Sequence, residues 1–299
     1  MKRKALFSWI PFRLAALVAP LIAAWPQCAQ AANATWAAGG GTAWYTASNW
    51  SPAAAPGLQG AAASNTDTAT FTSAATATTF GINMNAATAY LNLGAISVDA
   101  TRTTATTIGN SSTTVISGNG QVLRLYGATV NSVANTILRN AGSGLLTLQN
   151  IQGTGNQFMG VVLSNTTDNI VNIDGAGGVT ISSIISESVA GNKLTKGGAG
   201  TGVLLLSGAN TYTGATTVST GTLRAGNALA FGTVAGGVSI TSGAVVDLNG
   251  QAIGAEAFTL NGTGISSGGA LTNSSATAAS LSGTINLASN SSVGGAGTA

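Results

Sequence analysis

Apolar residues recur along this sequence in short pairs two positions apart, and glycine, asparagine, serine or threonine follows most pairs. The pairs are Leu123/Leu125, Leu146/Leu148, Val161/Leu163, Val238/Ile240, Val246/Leu248, Phe258/Leu260 and Ile285/Leu287. A spacing of two is the period of a β-strand that buries one face. No window shows a sustained helical period with capping residues. The sequence therefore predicts a nearly all-β fold.

Many short strands with glycine-rich turns are compatible with an antiparallel sandwich or barrel and with a solenoid that winds around one axis. A diverged repeat favours the solenoid, because "AGSGLLTL" at 141–148 returns as "AGTGVLLL" at 199–206. The 42 glycines among 299 residues suit stacked coils, which leave little room for bulk. We predict a right-handed parallel β-helix of about a dozen coils, each of about 20–25 residues.

The first 31 residues have the pattern of a cleavable secretory signal, with a basic start, an apolar stretch at 14–25 and small residues before Ala31. A transmembrane anchor is the alternative, but this stretch contains Pro20 and is shorter than the roughly 20 residues needed to cross hydrocarbon. Cleavage would remove four of the ten Lys and Arg residues, leaving six basic residues against seven acidic ones. We expect a secreted or cell-surface protein of bacterial, outer-membrane-associated type.

Several kinds of site are excluded by composition. The chain has no histidine, and Cys28, its one cysteine, lies in the predicted signal. Cys/His metal sites, cysteine nucleophiles and Ser-His-Asp triads therefore have no residues to form them. The remaining basic residues are widely spaced and form no surface for nucleic acid. We predict no catalytic, cofactor-binding or metal-binding residue, and no nucleic-acid partner.

The carboxylates are the remaining candidates for catalysis, because some β-helices cleave acidic polysaccharides. Two pairs are close in sequence and three acids stand alone: Asp168 and Asp174, Asp247 and Glu256, and Asp67, Asp99 and Glu187. We interpret them as turn residues, since no general-acid partner is visible. The segment 172–178 contains one acid, Asp174, where a calcium roll needs repeated glycine and aspartate units. The glycines at 197–202 lack the spacing of a nucleotide-binding loop.

Three tryptophans, Trp36, Trp44 and Trp50, lie close together at the start of the predicted mature chain, beside Tyr45. We interpret them as an aromatic plug over the first coil, because a solenoid has an open strand edge at each end. A platform on which sugars stack is the functional alternative. The expected organisation is a signal at 1–31, a capping region with the first coils at 32–100, and a β-helix at 101–299.

The segment 194–223, "LTKGGAGTGVLLLSGANTYTGATTVSTGTL", resembles the autotransporter-associated β-strand repeat, also called the passenger-associated transport repeat. The resemblance rests on the runs Leu194-Thr195-Lys196, Leu204-Leu205-Leu206-Ser207-Gly208, Asn210-Thr211-Tyr212-Thr213-Gly214 and Gly221-Thr222-Leu223. The pair Gly202-Val203 looks inserted. An insertion of two preserves strand parity, so Leu204 and Leu206 are expected to face inward.

The resemblance implies an exported, non-enzymatic passenger segment with a structural, adhesive or display role, in which the repeat assists folding or transport. Its partner would be an extracellular surface or a glycan. The family's outer-membrane barrel has no counterpart here, so contact with the outer membrane is expected only through a C-terminal region absent from this sequence. The alternatives are a truncated autotransporter, a secreted protein that uses the repeat on another export route, and a β-helix that binds or cleaves polysaccharide.

Overall fold

A computed structural model describes residues 33–37, 43–59, 65–82, 90–110, 122–150 and 160–295. The predicted signal at 1–31 lies outside these residues. The described part contains no α-helix and two single-turn 3₁₀ segments, Ala47–Asn49 and Ile265–Ser267. Its strands, in chain order, are β1 (Asn33–Trp36), β2 (Trp50–Ser51), β3 (Leu58–Gln59), β4 (Thr68–Phe71), β5 (Thr79–Ile82), β6 (Tyr90–Leu93), β7 (Ala95–Val98), β8 (Thr106–Asn110), β9 (Val122–Leu125), β10 (Ala128–Val130), β11 (Val133–Asn140), β12 (Leu146–Asn150), β13 (Gly160–Leu163), β14 (Asn169–Ile173), β15 (Val179–Ile181), β16 (Ile185–Glu187), β17 (Leu194–Gly197), β18 (Val203–Leu206), β19 (Thr216–Val218), β20 (Thr222–Ala225), β21 (Val238–Ile240), β22 (Val245–Asp247), β23 (Ala252–Ile253), β24 (Phe258–Leu260), β25 (Leu271–Thr272), β26 (Ser280–Leu281) and β27 (Ile285–Leu287).

The strands form three walls along one axis. The first wall is a 12-stranded sheet in the order β2-β1-β4-β7-β11-β14-β17-β19-β21-β24-β27, with β10 paired to β11. The second wall is an 8-stranded sheet that runs from β5 to β25. The third wall contains the five strands β3, β6, β9, β13 and β16, and β23 and β26 form a separate two-stranded sheet.

Neighbouring strands are parallel except for β1 with β2, β10 with β11 and β3 with β6. Successive strands visit the three walls in turn, as in β11, β12 and β13 and again in β14, β15 and β16. This topology confirms the predicted parallel β-helix and excludes the sandwich. The right-handed winding stays a prediction.

The coils are regular in the second half of the chain and longer in the first half. Thr216 stacks on Leu194 and Val238 stacks on Thr216, which corresponds to coils of about 20–25 residues. In the same sheet Leu138 stacks on Ile96, so this coil is far longer. Within the described residues the first sheet therefore has ten stacked strands besides the antiparallel β2 and β10, against about a dozen coils predicted from a uniform length.

The core is a set of side-chain columns that run along the axis. In the second sheet one column consists of Leu146, Val179, Leu204, Leu223, Val246 and Leu271 in successive registers. Leu204 and Leu206 are both fully buried. The expected parity of the insertion Gly202-Val203 is thereby confirmed, because a shift of two residues returns each side chain to the same face.

An aromatic cluster closes the first coils. The rings of Trp36, Trp44 and Trp50 are at most 2% exposed. The ring of Trp50 lies 4.7 Å from that of Trp36 and 4.9 Å from that of Trp44, and Phe71 and Phe80 complete the cluster. The burial of the rings agrees with the plug interpretation, and the capping of the first coil stays a prediction. Buried rings offer no exposed face on which a sugar could stack, so the alternative of a tryptophan platform is wrong.

One predicted core pair is exposed. Ile285 and Leu287 stack on Phe258 and Leu260 of β24, yet they are 46% and 59% exposed. Strand parity sets the face toward which a side chain points, but burial also needs a neighbour on the other side of the coil. No described residue covers this pair.

Candidate functional site

The carboxylates of the two suggested pairs bond to separate partners in the described structure. Among the described residues no three Asp or Glu side chains lie close enough to hold a metal ion. Asp168 accepts a hydrogen bond from the Thr195 hydroxyl at 2.9 Å, whereas Asp174 forms an ion pair with Arg139 at 2.8 Å. The pair that the sequence suggested is therefore divided between two partners.

The second suggested pair is divided in the same way. Asp247 forms an ion pair with Arg224 at 2.7 Å and accepts a hydrogen bond from the Ser274 hydroxyl at 2.5 Å. Glu256 accepts a hydrogen bond from the backbone of Gly237. Asp247 and Glu256 therefore bond to different partners.

The three remaining acids accept hydrogen bonds from backbone N–H groups of turns. Asp67 accepts a hydrogen bond from Gly57 N–H at 3.0 Å, and Glu187 accepts them from Thr213 and Asn192. Hydrogen bonds from Thr101 lower the pKa of Asp99. Acids that accept backbone N–H groups stabilise turns, as the sequence interpretation expected.

Arg102 has a role that its spacing in the sequence did not reveal. Its side chain is fully buried, and Nε donates to the Thr106 hydroxyl at 2.8 Å. The guanidinium also donates to four backbone carbonyls, those of Thr72, Ala75, Ala77 and Ala105. Arg102 therefore fastens the turn after β4 to the turn after β7.

The segment 194–225 is the part of the solenoid where sequence motifs and inter-coil contacts coincide. It contributes β17 and β19 to the first wall and β18 and β20 to the second. The third-wall sheet of the described chain ends at β16, and the stretch between β18 and β19 contains no strand. Asn210 occupies this strandless stretch and is 2% exposed.

Asn210 replaces the missing strand pairing with its side-chain amide. Its Oδ1 accepts a hydrogen bond from Ile185 N–H of the preceding coil at 2.9 Å. Its Nδ2 donates to the carbonyl of Ala230 in the following coil at 2.6 Å, and its own N–H donates to Leu229 O at 3.1 Å. One side chain thus satisfies buried backbone groups of two neighbouring coils, as buried polar groups require.

Tyr212 anchors the same stretch in the interior. The ring is fully buried, and its hydroxyl lies 2.7 Å from the Thr216 hydroxyl, which also contacts Phe231 O at 3.3 Å. Burial raises the pKa of the Tyr212 phenol, so it stays neutral. Gly214 follows because a methyl group there would collide with the carbonyl oxygen of Asn192. The run Asn-Thr-Tyr-x-Gly is therefore a device for stacking coils.

Lys196 points into the core. In successive registers of the first sheet it lies between Val171 and Val218, and it is 1% exposed. Its Nζ donates to Gly197 O at 2.8 Å. Burial lowers the pKa of Lys196 to about 8, although the charge of Asp174 opposes the shift. Sequence reasoning missed this orientation, but Lys196 shares strand parity with the buried Leu194, which was the available signal.

Replacing Lys196 with methionine should raise the free energy of unfolding near pH 7 by about 2 kcal/mol, because the folded state carries a poorly solvated cation. The folded pKa of about 8 lies below the usual 10.5, so the unfolded chain binds more protons between these values. Wild-type stability should therefore rise with pH across this window, and the variant should lose this rise. Thermal unfolding at several pH values measures both effects. Lys193→Met, at an exposed position, serves as the control; an equal change in the two variants would contradict the prediction.

Comparisons with known proteins agree with this structural description. Residues 194–225 match the model of the passenger-associated-transport-repeat. A stretch of 170 residues is 33% identical to the adhesin BmaC autotransporter of Brucella suis biovar 1 (strain 1330) and covers 57% of this chain. The match spans 4% of that protein's length. No solved structure matches the chain.

The described residues contain no helix that is both long and apolar enough to cross a bilayer.

The matched segment ends at Ala225, the last residue of β20, two residues beyond the boundary that the motif predicted. Its characteristic side chains lie at the contacts between coils that the structure describes. Residues 194–225 thus match the model of a passenger-associated transport repeat, and they fold as consecutive strands of a parallel β-solenoid.

Proposed function

We propose that this chain is an exported passenger segment of an autotransporter-like surface protein, in which the solenoid forms a stalk that displays or contributes to an adhesive surface. The repeat at 194–225 and the similarity to an autotransporter adhesin support this proposal. The proposed partner is an extracellular surface, and binding to extracellular matrix or to glycans would identify the class of ligand. The separate partners of the carboxylates favour a structural role over polysaccharide cleavage.

The observation that carries the proposal is that the side chains of the repeat bind the coils on both sides. Asn210 bonds to Ile185 before the repeat stretch and to Ala230 after it. A completed coil therefore presents both a strand edge and a buried polar partner to the next coil. In a solenoid each coil contacts mainly its neighbours, so folding can propagate from such a coil. We propose that the repeat starts or sustains this propagation during export.

A deletion matched to the stacking register tests the role of the repeat. Thr216 stacks on Leu194, so removing residues 194–215 joins Thr216 to the chain at the position that Leu194 occupied. Removing residues 238–257 is the control, because Phe258 stacks on Val238 in the same way. Both deletions take out one coil, but the first also removes Asn210 and Tyr212.

We expect the 194–215 deletion to lower the amount of protein at the cell surface several-fold, and the 238–257 deletion to leave it nearly unchanged. The full-length gene product is expressed in its host, and a non-permeant protease and antibody labelling of intact cells measure surface exposure. Binding of the same cells to immobilised extracellular matrix and glycans measures adhesion. Equal surface levels for the two deletions would show that the repeat is an ordinary spacer, and wild-type protein that stays inside the cell would contradict the proposal.

A further inference from the structure

Glu256 is a buried acid placed between coils after the repeat. It lies at the corner that leads into β24 and is 3% exposed. One carboxylate oxygen accepts a hydrogen bond from the backbone of Gly237 in the preceding coil. The other oxygen, Oε1, is buried and has no hydrogen-bond partner in the described structure. A buried acceptor without a partner is costly, and more so when it carries a charge.

The backbone on both sides holds this corner in place. The carbonyl of Ala257 accepts a hydrogen bond from Val238 N–H at 2.8 Å, and Phe258 N–H donates to Thr284 O at 2.8 Å. A methyl group at Gly283 would collide with the carbonyl oxygen of Glu256. The backbone of Glu256 therefore lies against the coil of Gly283, while its carboxylate faces Gly237 in the preceding coil.

The surroundings of Glu256 contain little that could balance a negative charge. The neighbouring elements are the segment 210–216, the turn 235–237 and the turn 282–284, and Tyr212 is the titratable side chain among their described residues. The phenol of Tyr212 is neutral, and the charge of Glu256 adds to the burial that raises its pKa. No described Lys or Arg side chain contributes to the pKa of Glu256.

Burial raises the pKa of Glu256 from 4.5 to about 6, and the bond from Gly237 opposes the shift. The folded state consequently binds a proton more tightly than the unfolded chain does. The stabilisation that comes with this proton is fully present below the unfolded value of 4.5 and is lost as the pH rises through about 6.

We propose that Glu256 is a proton-controlled clamp, which fastens the coil of residues 250–260 to the coil beneath it when its carboxyl is neutral and loosens that coil when the carboxyl is charged. Through Gly237 and Tyr212 the clamp acts next to the transport repeat. Mildly acidic surroundings would tighten this part of the solenoid. Neutral surroundings would make the coil of residues 250–260 easier to open.

Hydrogen exchange of the amides at 236–240 and 256–260 tests the clamp, with correction for the intrinsic pH dependence of exchange. In the wild-type chain we expect protection to be about ten-fold greater near pH 5 than near pH 7.5. Glu256→Gln should keep the high protection at both pH values. Glu187→Gln, which alters a turn carboxylate bonded to Thr213, should keep the wild-type pH dependence in these amides.

Two results would overturn the proposal: equal wild-type protection at the two pH values, or a Glu256→Gln variant that retains the pH dependence. If this variant fails to fold, carbon NMR of the Glu256 carboxyl in the wild-type protein decides the question. A titration midpoint near 6 supports the clamp, and a midpoint near the usual 4.5 refutes it.

Discussion

Replacing Asn210 with alanine is expected to lower the free energy of unfolding by about 3–4 kcal/mol, because the change leaves two buried backbone groups without a partner. These groups are the N–H of Ile185 and the carbonyl of Ala230, both in residues that are fully buried. Each such group costs about 1–3 kcal/mol. Chemical unfolding followed by circular dichroism measures the change.

The control is Thr211→Ala, at the exposed neighbouring position. Its backbone N–H donates to Ile185 O at 2.8 Å, and the substitution leaves this bond in place. We expect a change within about 0.5 kcal/mol for this variant. Hydrogen exchange should show that the damage in Asn210→Ala concentrates at 185–187 and 229–231. Equal losses in both variants would mean that the side-chain bridge contributes nothing.

Replacing Trp44 with alanine is expected to cost about 3–5 kcal/mol, because it opens a cavity in the aromatic cluster. Trp44 is fully buried, its ring lies 4.9 Å from that of Trp50, and its Nε1 donates to Pro56 O at 3.2 Å. Loss of the ring should release the first coils before the rest of the solenoid unfolds, since each coil depends mainly on its neighbours. Limited proteolysis and thermal unfolding measure the effect.

Trp44→Phe separates packing from hydrogen bonding. This variant keeps an aromatic ring but loses the bond to Pro56 O, so we expect a smaller loss, about 1–2 kcal/mol. A proteolysis pattern that begins in the second half of the chain in Trp44→Ala would contradict the role of the cluster as a cap. So would equal losses in the alanine and phenylalanine variants.

Much of the architecture could be predicted because strand parity is a local property. The pairs Leu123/Leu125 and Leu146/Leu148 face the core as their spacing required. The repeat at 194–225 was recognisable from a long, specific run of residues. Coil length was less predictable, because the early coils are longer than the repeat suggested. Strand periodicity shows which side chains face the core, but it carries no information about the number of residues in the turns.

The roles of the polar residues were harder to predict. The sequence indicated Lys196 only as part of the repeat and Glu256 only as a turn residue, yet both are buried. Asn210 was recognised as part of a motif, but its contacts reach residues on two other coils. Arg102 looked like one isolated basic residue, although its guanidinium collects carbonyls from two turns.

The sequence by itself determined the strand period, the faces of most strands and the identity of the repeat, because each of these depends on residues that are neighbours along the chain. Only the tertiary structure decided which polar groups meet. The partner of Asn210, the burial of Glu256 and the exposure of Ile285 depend on residues about one coil away, and the coil length that sets these contacts varies along the chain. Stacking in three dimensions therefore gave these residues environments that no local pattern encodes.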